Sequence, residues 1–235
     1  MSEPARSDRT HRDGARAVAP LAIAVVGFGV SFGVLARAAG MGTAAPIVMS
    51  MTTFAGSAQF AAASILGVGG TIASAVTAAV LLNARYAPIG VSVAPSLTGG
   101  RWSRFLHAQL TVDESWAIAA EGDGRYNPRV LIGAGVTLYA AWVAGTVLGV
   151  AFGDVIGDPS TWGLDAAFPA LFLALLVPQL RTRRTIEAAV LGAGIALALT
   201  PFTPAGVPII AASAACLLGL RATPRAEAGA EGDAP

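Results

Sequence analysis

The sequence has 235 residues, of which 54% are hydrophobic and only 12% are charged. Because soluble domains carry about 25% charged residues, this composition excludes an ordinary soluble core and favours an integral membrane protein. Cys216 is the single cysteine, which excludes an internal disulfide and a CxxC metal site, and the net charge of +1 indicates neither nucleic acid nor an acidic partner.

Long apolar segments predict an all-α, polytopic membrane bundle of about six to seven spans, with broken or re-entrant helices in its first half. We divide the chain into a polar tail at residues 1–16, a membrane domain at residues 17–220 and a second polar tail at residues 221–235. Neither tail has an apolar period, so both are predicted to be disordered. The first span, residues 17–35, follows arginines as a signal peptide does, but it is long enough to cross a bilayer and we expect it to remain uncleaved.

Glycines at four-residue spacing mark two of the predicted spans. Gly29 and Gly33 lie in the first span, and Gly145, Gly149 and Gly153 lie along a later one. The run GFGVSFG contains the first pair, but a dinucleotide-binding loop requires a preceding strand and a soluble βαβ unit. We therefore interpret both glycine stripes as surfaces on which another helix packs closely.

The stretch after the first span departs from ordinary membrane helices. Pro46 suits the first turn of a helix predicted to run to Leu66, and the glycines of residues 67–70 end it. Residues 71–97 are long enough to span, but Pro88 removes a backbone donor and clashes with the carbonyl four residues earlier. We therefore expect a discontinuous helix or a short hairpin there.

Polar and small residues inside this apolar stretch are the candidate substrate-binding residues: Gly56, Ser57, Gln59, Asn83 and Arg85. An arginine at a helix centre costs roughly 2.5–3.5 kcal/mol to insert, so a partner, a cavity or a ligand has to compensate for it. Broken helices in membranes offer free N–H groups to anions, and Asn83 with Arg85 can hold a carboxylate. The alternatives are an Arg85 that extends from the membrane edge to water and an Asn83 that caps a helix.

Residues 101–121 are too polar to span simply, because apolar side chains alternate there with Arg104, His107, Asp113 and Glu114. This mixture predicts an amphipathic helix that lies at the membrane interface or under the bundle, followed by a turn at residues 122–128.

The rest of the chain reads as further spans with connections: a span at residues 129–152, an acidic loop at 153–163, a span at 164–180, three arginines within 181–184, and a short helical pair at 186–199 and 207–220. Asp113, Glu114 and Asp165 are the candidate proton carriers or ion-pair partners, and Asp113 is a possible counter-ion of Arg85. The alternative for Asp165 is a helix N-cap, and for Asp113 and Glu114 a solvated position at the interface.

Arginines mark the cytoplasmic side of a membrane protein. They cluster in the N-terminal tail, at residues 101–129, at 181–184 and at 221–225, which predicts a cytoplasmic C-terminus. If Arg16 and Arg101 are both cytoplasmic, an even number of crossings separates them, yet three apolar segments lie between them. One of the last two segments, residues 46–66 or residues 71–97, must therefore fail to cross simply or must cross twice. The alternative is an external N-terminus with about seven spans.

Signals for catalysis are weak. The two histidines are His11 and His107, and the sequence has no HExxH, no GxSxG elbow and no Walker A loop. We therefore expect neither an enzyme nor a bound cofactor nor direct use of ATP. A transporter with a site between broken helices is favoured, and the alternative is a membrane scaffold subunit that transports nothing itself.

Four segments resemble the AzlC family, the large subunit of branched-chain amino-acid permeases or exporters. They are MSMTTFAGSAQFAA (Met49–Ala62), LLNARYAPIGVSVAP (Leu81–Pro95), LTVDESWAIA (Leu110–Ala119) and LDAAFPALFLALLVPQL (Leu164–Leu180). The family often has a histidine directly after the arginine of the second segment, where this chain has Tyr86.

The resemblance implies a secondary transporter in the cytoplasmic membrane of a bacterium that moves leucine, isoleucine, valine or similar amino acids, usually outward. It also implies a small hydrophobic partner subunit of the AzlD family. On packing grounds, the stripe Gly145, Gly149 and Gly153 is a candidate docking face for that partner. A permease for another small amphipathic metabolite remains the alternative.

Overall fold

The computed structural model describes residues 8–122, 124–156, 173, 176–177, 180, 182–203 and 207–215. These residues belong to two compact units, Met1–Phe172 and Leu173–Pro235, which are described separately. The predicted C-terminal tail and Asp165 lie outside the described residues, as does most of the span predicted over residues 164–180.

Helices dominate both units. In the first unit they are α1 (His11–Ala38), α2 (Ala44–Thr52), α3 (Gly56–Gly67), α4 (Ile72–Asn83), α5 (Tyr86–Val93), α6 (Arg101–Gln109), α7 (Asp113–Ala119) and α8 (Pro128–Ile156). A two-stranded antiparallel ribbon, β1 (Ala120–Gly122) and β2 (Arg125–Tyr126), occupies the position of the predicted turn before α8. In the second unit α9 (Arg183–Leu199) and α10 (Val207–Ala212) form the predicted helical pair.

Two helices in the described part of the chain, α1 and α8, are long and apolar enough to cross a membrane. A third crossing is available if α4 and α5, which meet at an angle of 42°, act as one bent span. At 1.5 Å per residue, the 28 residues of α1 extend about 42 Å, which exceeds the roughly 30 Å of bilayer hydrocarbon. An all-α membrane protein therefore fits, whereas six to seven spans are not confirmed.

Helix α1 begins at His11, several residues before the predicted first span, so residues 11–16 are helical and not part of a tail. The Asp13 carboxylate fixes this start, because its Oδ2 accepts hydrogen bonds from the Thr10 backbone N–H at 2.7 Å and from the Thr10 hydroxyl at 2.8 Å. The same Thr-x-x-Asp spacing is visible in the sequence as a helix-start signal.

The two glycine stripes pack against each other. An added Cβ at Gly29 would lie 2.7 Å from the Trp142 carbonyl oxygen, and one at Gly33 would lie 2.6 Å from that of Thr146. On the facing helix, Gly145 and Gly149 lie against the backbone of α1. The close helix packing predicted from the glycines is therefore confirmed.

The same contact excludes Gly145 and Gly149 as a docking face for a partner subunit, because α1 already covers them. Gly153, the third residue of the predicted face, also lies next to α1, since an added Cβ there would be 3.8 Å from the Arg37 side chain. That prediction was wrong for a physical reason: a small-residue stripe specifies a close neighbour without specifying which helix it is. Residue numbers increase together along both contacting helices, from the Gly14–Val130 contact to the Gly33–Gly149 contact, so α1 and α8 run parallel.

The helix predicted over residues 46–66 is broken into α2 and α3 at residues 53–55, where Phe54 adopts a φ of +43°. Side chains from other helices donate hydrogen bonds to the backbone carbonyls that the break leaves free. The Tyr139 hydroxyl donates to the Met51 carbonyl at 2.9 Å, and the Gln109 side-chain amide donates to the Thr52 carbonyl at 2.7 Å. Backbone groups freed inside an apolar protein thus have partners, as they must.

The predicted break after Asn83 is confirmed, since α4 ends at Asn83 and α5 begins at Tyr86. The Ala84 carbonyl, which Pro88 was expected to leave free, accepts the Ala87 N–H at 3.1 Å in a tighter, three-residue turn.

The amphipathic segment at residues 101–121 is two helices, α6 and α7, and not one. The Ser115 hydroxyl accepts the Val112 N–H at 2.9 Å and so starts α7 anew. Helix α6 exposes Trp102, Phe105 and Leu106, which agrees with a helix that contacts an apolar environment.

An aromatic cluster joins α1, α3 and α8. The ring centroids of Phe32 and Trp142 are 5.9 Å apart, and those of Phe60 and Trp142 are 6.2 Å apart. Phe32 and Phe60 are fully buried and Trp142 nearly so. The cluster fixes the position of α3, from which the candidate site is built.

Candidate functional site

Arg85 is the centre of a polar cluster at the break between α4 and α5. Its Nη2 lies 3.0 Å from Asp113 Oδ2 at the start of α7, which forms an ion pair. The same nitrogen donates to the Ser57 hydroxyl at 3.2 Å and to the Tyr86 hydroxyl at 3.3 Å. Ser57, Arg85 and Asp113, which were predicted separately as site residues, therefore lie together.

Two polar atoms at this break are buried and have no hydrogen-bond partner within the described residues: Asn83 Oδ1 and Arg85 Nε. A buried polar atom without a partner costs about 1–3 kcal/mol, so such atoms are rare unless a ligand or water serves them. One of them is an acceptor and the other a donor. A molecule with both an acidic and a basic group could satisfy both.

The start of α3 adds further donors beside Arg85. Ser57 lies in the first turn of α3, where backbone N–H groups have no partner inside the helix. The Ala55 N-cap supplies no side chain to cap them. The positive end of the α3 dipole and the Arg85 guanidinium therefore act on the same small volume, which favours an anion there.

The Asp113 carboxylate is the anion that this volume contains in the present structure. Its side chain is 31% exposed and that of Arg85 is 35% exposed, so water partly screens the pair. Another carboxylate can consequently displace Asp113 from Arg85 at a moderate cost in free energy.

Glu114 follows Asp113 and is half-buried. Burial raises the pKa of the Glu114 carboxyl above its ordinary value and the Asp113 charge raises it further, while the Glu114 backbone N–H and the Arg85 charge act in the opposite direction. Glu114 therefore takes up a proton at a higher pH than a solvated glutamate does, next to the Arg85–Asp113 pair.

Gln59 belongs to a different network on the other face of α3. Its Nε2 donates to the Ser50 hydroxyl at 2.8 Å, and its Oε1 accepts the Trp142 indole N–H at 3.0 Å and the Ala55 N–H at 3.2 Å. The Ser50 hydroxyl in turn lies 2.8 Å from that of Thr146. Gln59 is fully buried, and these contacts tie the break between α2 and α3 to α8.

Gln59 and Ser57 are thus not parts of one cluster. Residues two apart on a helix are separated by about 200° around its axis, so the two side chains face in nearly opposite directions. Gly56 also faces α8: an added Cβ there would lie 3.1 Å from the Trp142 ring. Of the candidate residues, Ser57 and Arg85 lie in the Arg85 cluster, Asn83 lies at the same helix break, and Gly56 and Gln59 pack against Trp142.

Sequence reasoning identified Arg85 but missed Tyr86 as its hydrogen-bond partner, although Tyr86 is the next residue. The guanidinium carbon also lies 5.1 Å from the centroid of the Tyr86 ring. It also missed Ser50 and Trp142 as partners of Gln59, and Thr146 as the next partner of Ser50. Trp142 lies 83 residues from Gln59 along the chain, so no local pattern connects them.

Comparison with known proteins adds independent information. The AzlC protein family matches residues 20–156, which include the helix break at Arg85 and Asp113. An uncharacterised membrane protein of Archaeoglobus fulgidus is 34% identical over 83% of this chain and 87% of its own length. No solved structure matches.

Two further relatives have informative names. The branched-chain amino acid transport protein AzlC of Bacillus subtilis is 28% identical over 72% of this chain and 68% of its own. The inner membrane protein YgaZ of Escherichia coli is 24% identical over 81% of this chain and 82% of its own. The family match covers more than half of the sequence. The A. fulgidus and E. coli relatives are named as membrane proteins, which agrees with the apolar α1 and α8 of this chain. The chain is a membrane protein that belongs to the AzlC family.

Proposed function

We propose that this protein is a secondary transporter that exports branched-chain amino acids across the cytoplasmic membrane, together with a small AzlD-like subunit. The observation that carries the proposal is the Arg85–Asp113 ion pair at a helix break, beside two buried polar atoms that have no hydrogen-bond partner among the described residues. The name of the B. subtilis relative supports the substrate class. The alternatives are a permease for another small amphipathic metabolite and a subunit that transports nothing.

The substrate carboxylate binds at Arg85 in this proposal. It takes the place of Asp113 on the guanidinium and also accepts a hydrogen bond from Arg85 Nε, which has no partner within the described residues. Ser57 orients the guanidinium through its 3.2 Å hydrogen bond, and the N-terminus of α3 adds a favourable field. An arginine suits this role because its planar fork matches a carboxylate.

The ammonium group of the substrate faces acceptors at the same break. Asn83 Oδ1 is one, and Asp113 is the second once the carboxylate has displaced it from Arg85. Both charges of a zwitterion are then paired inside the protein, which lowers the cost of carrying it through a membrane.

Asp113 and Glu114 are the proposed ion-coupling residues. When the substrate carboxylate takes the place of Asp113 on Arg85, it offsets the guanidinium charge, which otherwise lowers the pKa of the half-buried Glu114. The affinity of Glu114 for a proton then rises. Proton uptake at this acidic pair can therefore accompany substrate binding. Asp165, the third predicted coupling residue, lies outside the described part of the chain.

The test is counterflow of labelled valine in proteoliposomes that contain the chain and an AzlD-like subunit. We expect Arg85→Ala to abolish counterflow and Ser57→Ala to raise the KM, whereas Ser64→Ala, an exposed serine on the same helix, serves as the matched control. An absence of wild-type counterflow with every amino acid of a panel would contradict transport and favour the scaffold alternative.

A charge exchange separates a binding arginine from a purely structural one. Arg85→Asp combined with Asp113→Arg keeps an ion pair at this break and should restore the thermal stability that either single change lowers. Counterflow should not return, because the cation then projects from α7 and no longer lies beside Ser57. If the double variant regains both stability and transport, Arg85 is only a structural partner of Asp113.

A further inference from the structure

A cavity of about 430 Å³ lies between α5 and α6, next to the Arg85 cluster. Its walls are mainly apolar and small, formed by Gly90, Val93, Ala94, Leu97, Phe105 and Ala108. This volume lies in the range of about 300–1,000 Å³ that is typical of small-molecule sites, which are also mostly apolar with a few polar groups.

Tyr86 connects the cavity to the site, because it lines the cavity and its hydroxyl accepts a hydrogen bond from Arg85 Nη2. Thr111, which also lines the cavity, lies two residues before Asp113. The side chain of Tyr86 therefore connects the apolar cavity to Arg85. An α-amino acid with an aliphatic side chain likewise has an apolar group next to a carboxylate.

We propose that this cavity holds the aliphatic side chain of the amino acid whose carboxylate binds Arg85, and that Gly90 sets the largest side chain that fits. The proposal rests on the transport function given above and adds to it the residues that select the substrate.

Gly90 is suited to this role because the space beside it is open in the part of the chain that the structure describes. A Cβ at Gly90 would meet no described atom within 4 Å, although Gly90 lines the cavity. A larger side chain at this position therefore projects into free space and reduces the cavity without a collision. Its effect on transport then reports what the cavity holds.

A lipid acyl chain is the other occupant that apolar walls allow, with the exposed Arg101 and Arg104 at the cavity facing a lipid phosphate. The polar groups at the Tyr86 end of the cavity argue against a lipid acyl chain. There an acyl chain would end beside a hydroxyl and a guanidinium, whose hydrogen bonds a terminal methyl group cannot use. An amino acid, in contrast, presents its polar groups at that end.

The experiment compares counterflow of leucine and of alanine by the complex of the full chain and its AzlD-like subunit. Gly90→Leu should lower the leucine-to-alanine ratio of kcat/KM by about tenfold or more, because a pocket discriminates by this factor for the loss of room for a methylene or two. Gly90→Ala should give a smaller change in the same direction. Gly27→Leu is the matched control, since a Cβ at Gly27 also meets nothing within 4 Å but Gly27 lies on α1, away from the cavity.

The outcomes distinguish the two proposals. If wild-type protein transports leucine and Gly90→Leu leaves the ratio unchanged, the cavity proposal is wrong and the transport function stands. If Gly90→Leu lowers transport of both amino acids equally, or releases the small subunit or a copurified lipid, the cavity holds that partner or lipid instead. If wild-type protein transports neither amino acid, the proposed function itself fails.

Discussion

At the scale of single residues, the charge of Arg85 is compensated by neighbours from three different helices. Ser57 comes from α3, Tyr86 from α5 and Asp113 from α7. An arginine that merely extended from the membrane edge to water would not require such partners. The cost of inserting a guanidinium is therefore met by a specific polar cluster, to which the proposed function adds the binding of the substrate carboxylate.

We expect Gln59 to contribute to stability and not to substrate affinity, because its hydrogen bonds all go to the protein interior around Trp142. Gln59→Leu leaves the Ala55 N–H and the Trp142 indole N–H without their partner, at about 1–3 kcal/mol for each buried group that finds no substitute. The Ser50 hydroxyl loses its bond to Gln59 but keeps the one to Thr146. We expect a clear fall in the thermal unfolding midpoint in detergent, with an unchanged KM in the molecules that remain folded.

Gln109→Leu is the control for this prediction. It removes one exposed hydrogen bond, to the Thr52 carbonyl, and should lower the midpoint much less. A raised KM for Gln59→Leu without loss of stability would instead place Gln59 in the substrate site.

The raised pKa of Glu114 predicts that the contribution of this residue to stability depends on pH. Since burial raises its pKa, the folded protein favours the protonated carboxyl, so stability is lost as the pH rises from the ordinary value of 4.5 through the raised one. Glu114→Gln removes this loss. The difference between the unfolding midpoint of the variant and that of wild type should therefore increase as the pH rises from about 4 to about 8.

The groups that act on the Glu114 carboxyl besides its own backbone are Asp113 on the same helix and Arg85 from the break before α5. Glu187→Gln is the control for loss of one carboxylate elsewhere, because Glu187 is exposed on α9 and takes no part in this cluster. A difference between Glu114→Gln and wild type that stays constant over this pH range would exclude the proposed protonation.

At the scale of helices, the parallel contact of α1 with α8 depends on its glycines. Gly29→Ala would place a Cβ 2.7 Å from the Trp142 carbonyl and so force the two backbones apart, at about 1–3 kcal/mol for overpacking. Gly27→Ala, two residues earlier, meets nothing within 4 Å and should be neutral or slightly stabilising. Thermal unfolding in detergent measures both, and equal effects would show that the contact does not limit stability.

The breaks α2–α3 and α4–α5 place Ser57 and Arg85 beside each other. Each break frees backbone groups. At the α2–α3 break, the side chains of Tyr139 and Gln109 donate hydrogen bonds to the freed carbonyls. An unbroken helix over residues 46–66 would have its Ser57 N–H bonded within the helix and unable to act on an anion. The irregular backbone is thus a condition of the proposed site.

At the scale of the whole first unit, parallel α1 and α8 begin on the same side of the membrane. Both starts carry arginines, such as Arg12 and Arg125, which favours the cytoplasmic side for both. We propose that the α2–α3 pair does not cross and that α4–α5 forms one bent span. Two crossings then separate Arg16 from Arg101, which is the even number that a cytoplasmic N-terminus requires.

Cysteine labelling tests this topology. In a Cys216→Ser background, Arg12→Cys and Arg125→Cys should react with a membrane-impermeant maleimide only after the cells are opened, whereas Thr43→Cys, beyond the end of α1, should react in intact cells. All three positions are exposed. Labelling of Arg12→Cys in intact cells would favour the external N-terminus instead.

The sequence by itself determined the class of protein and the places where its helices deviate from regularity. Composition required a membrane, Pro88 beside Asn83 and Arg85 predicted the second break, and the glycine spacing predicted close helix contacts. The arginine count also required one irregular crossing before Arg101. These properties depend on local chemistry, which is visible in neighbouring residues.

Only the tertiary structure decided which residues share a site. Ser57 and Gln59 are two residues apart, yet one contacts Arg85 and the other Trp142, because the rotation of α3 turns them to opposite sides. Likewise, only packing decided that the glycines of α1 and α8 cover each other and not a partner. Contacts between residues 28 to 96 positions apart depend on how helices pack, and no local pattern encodes that.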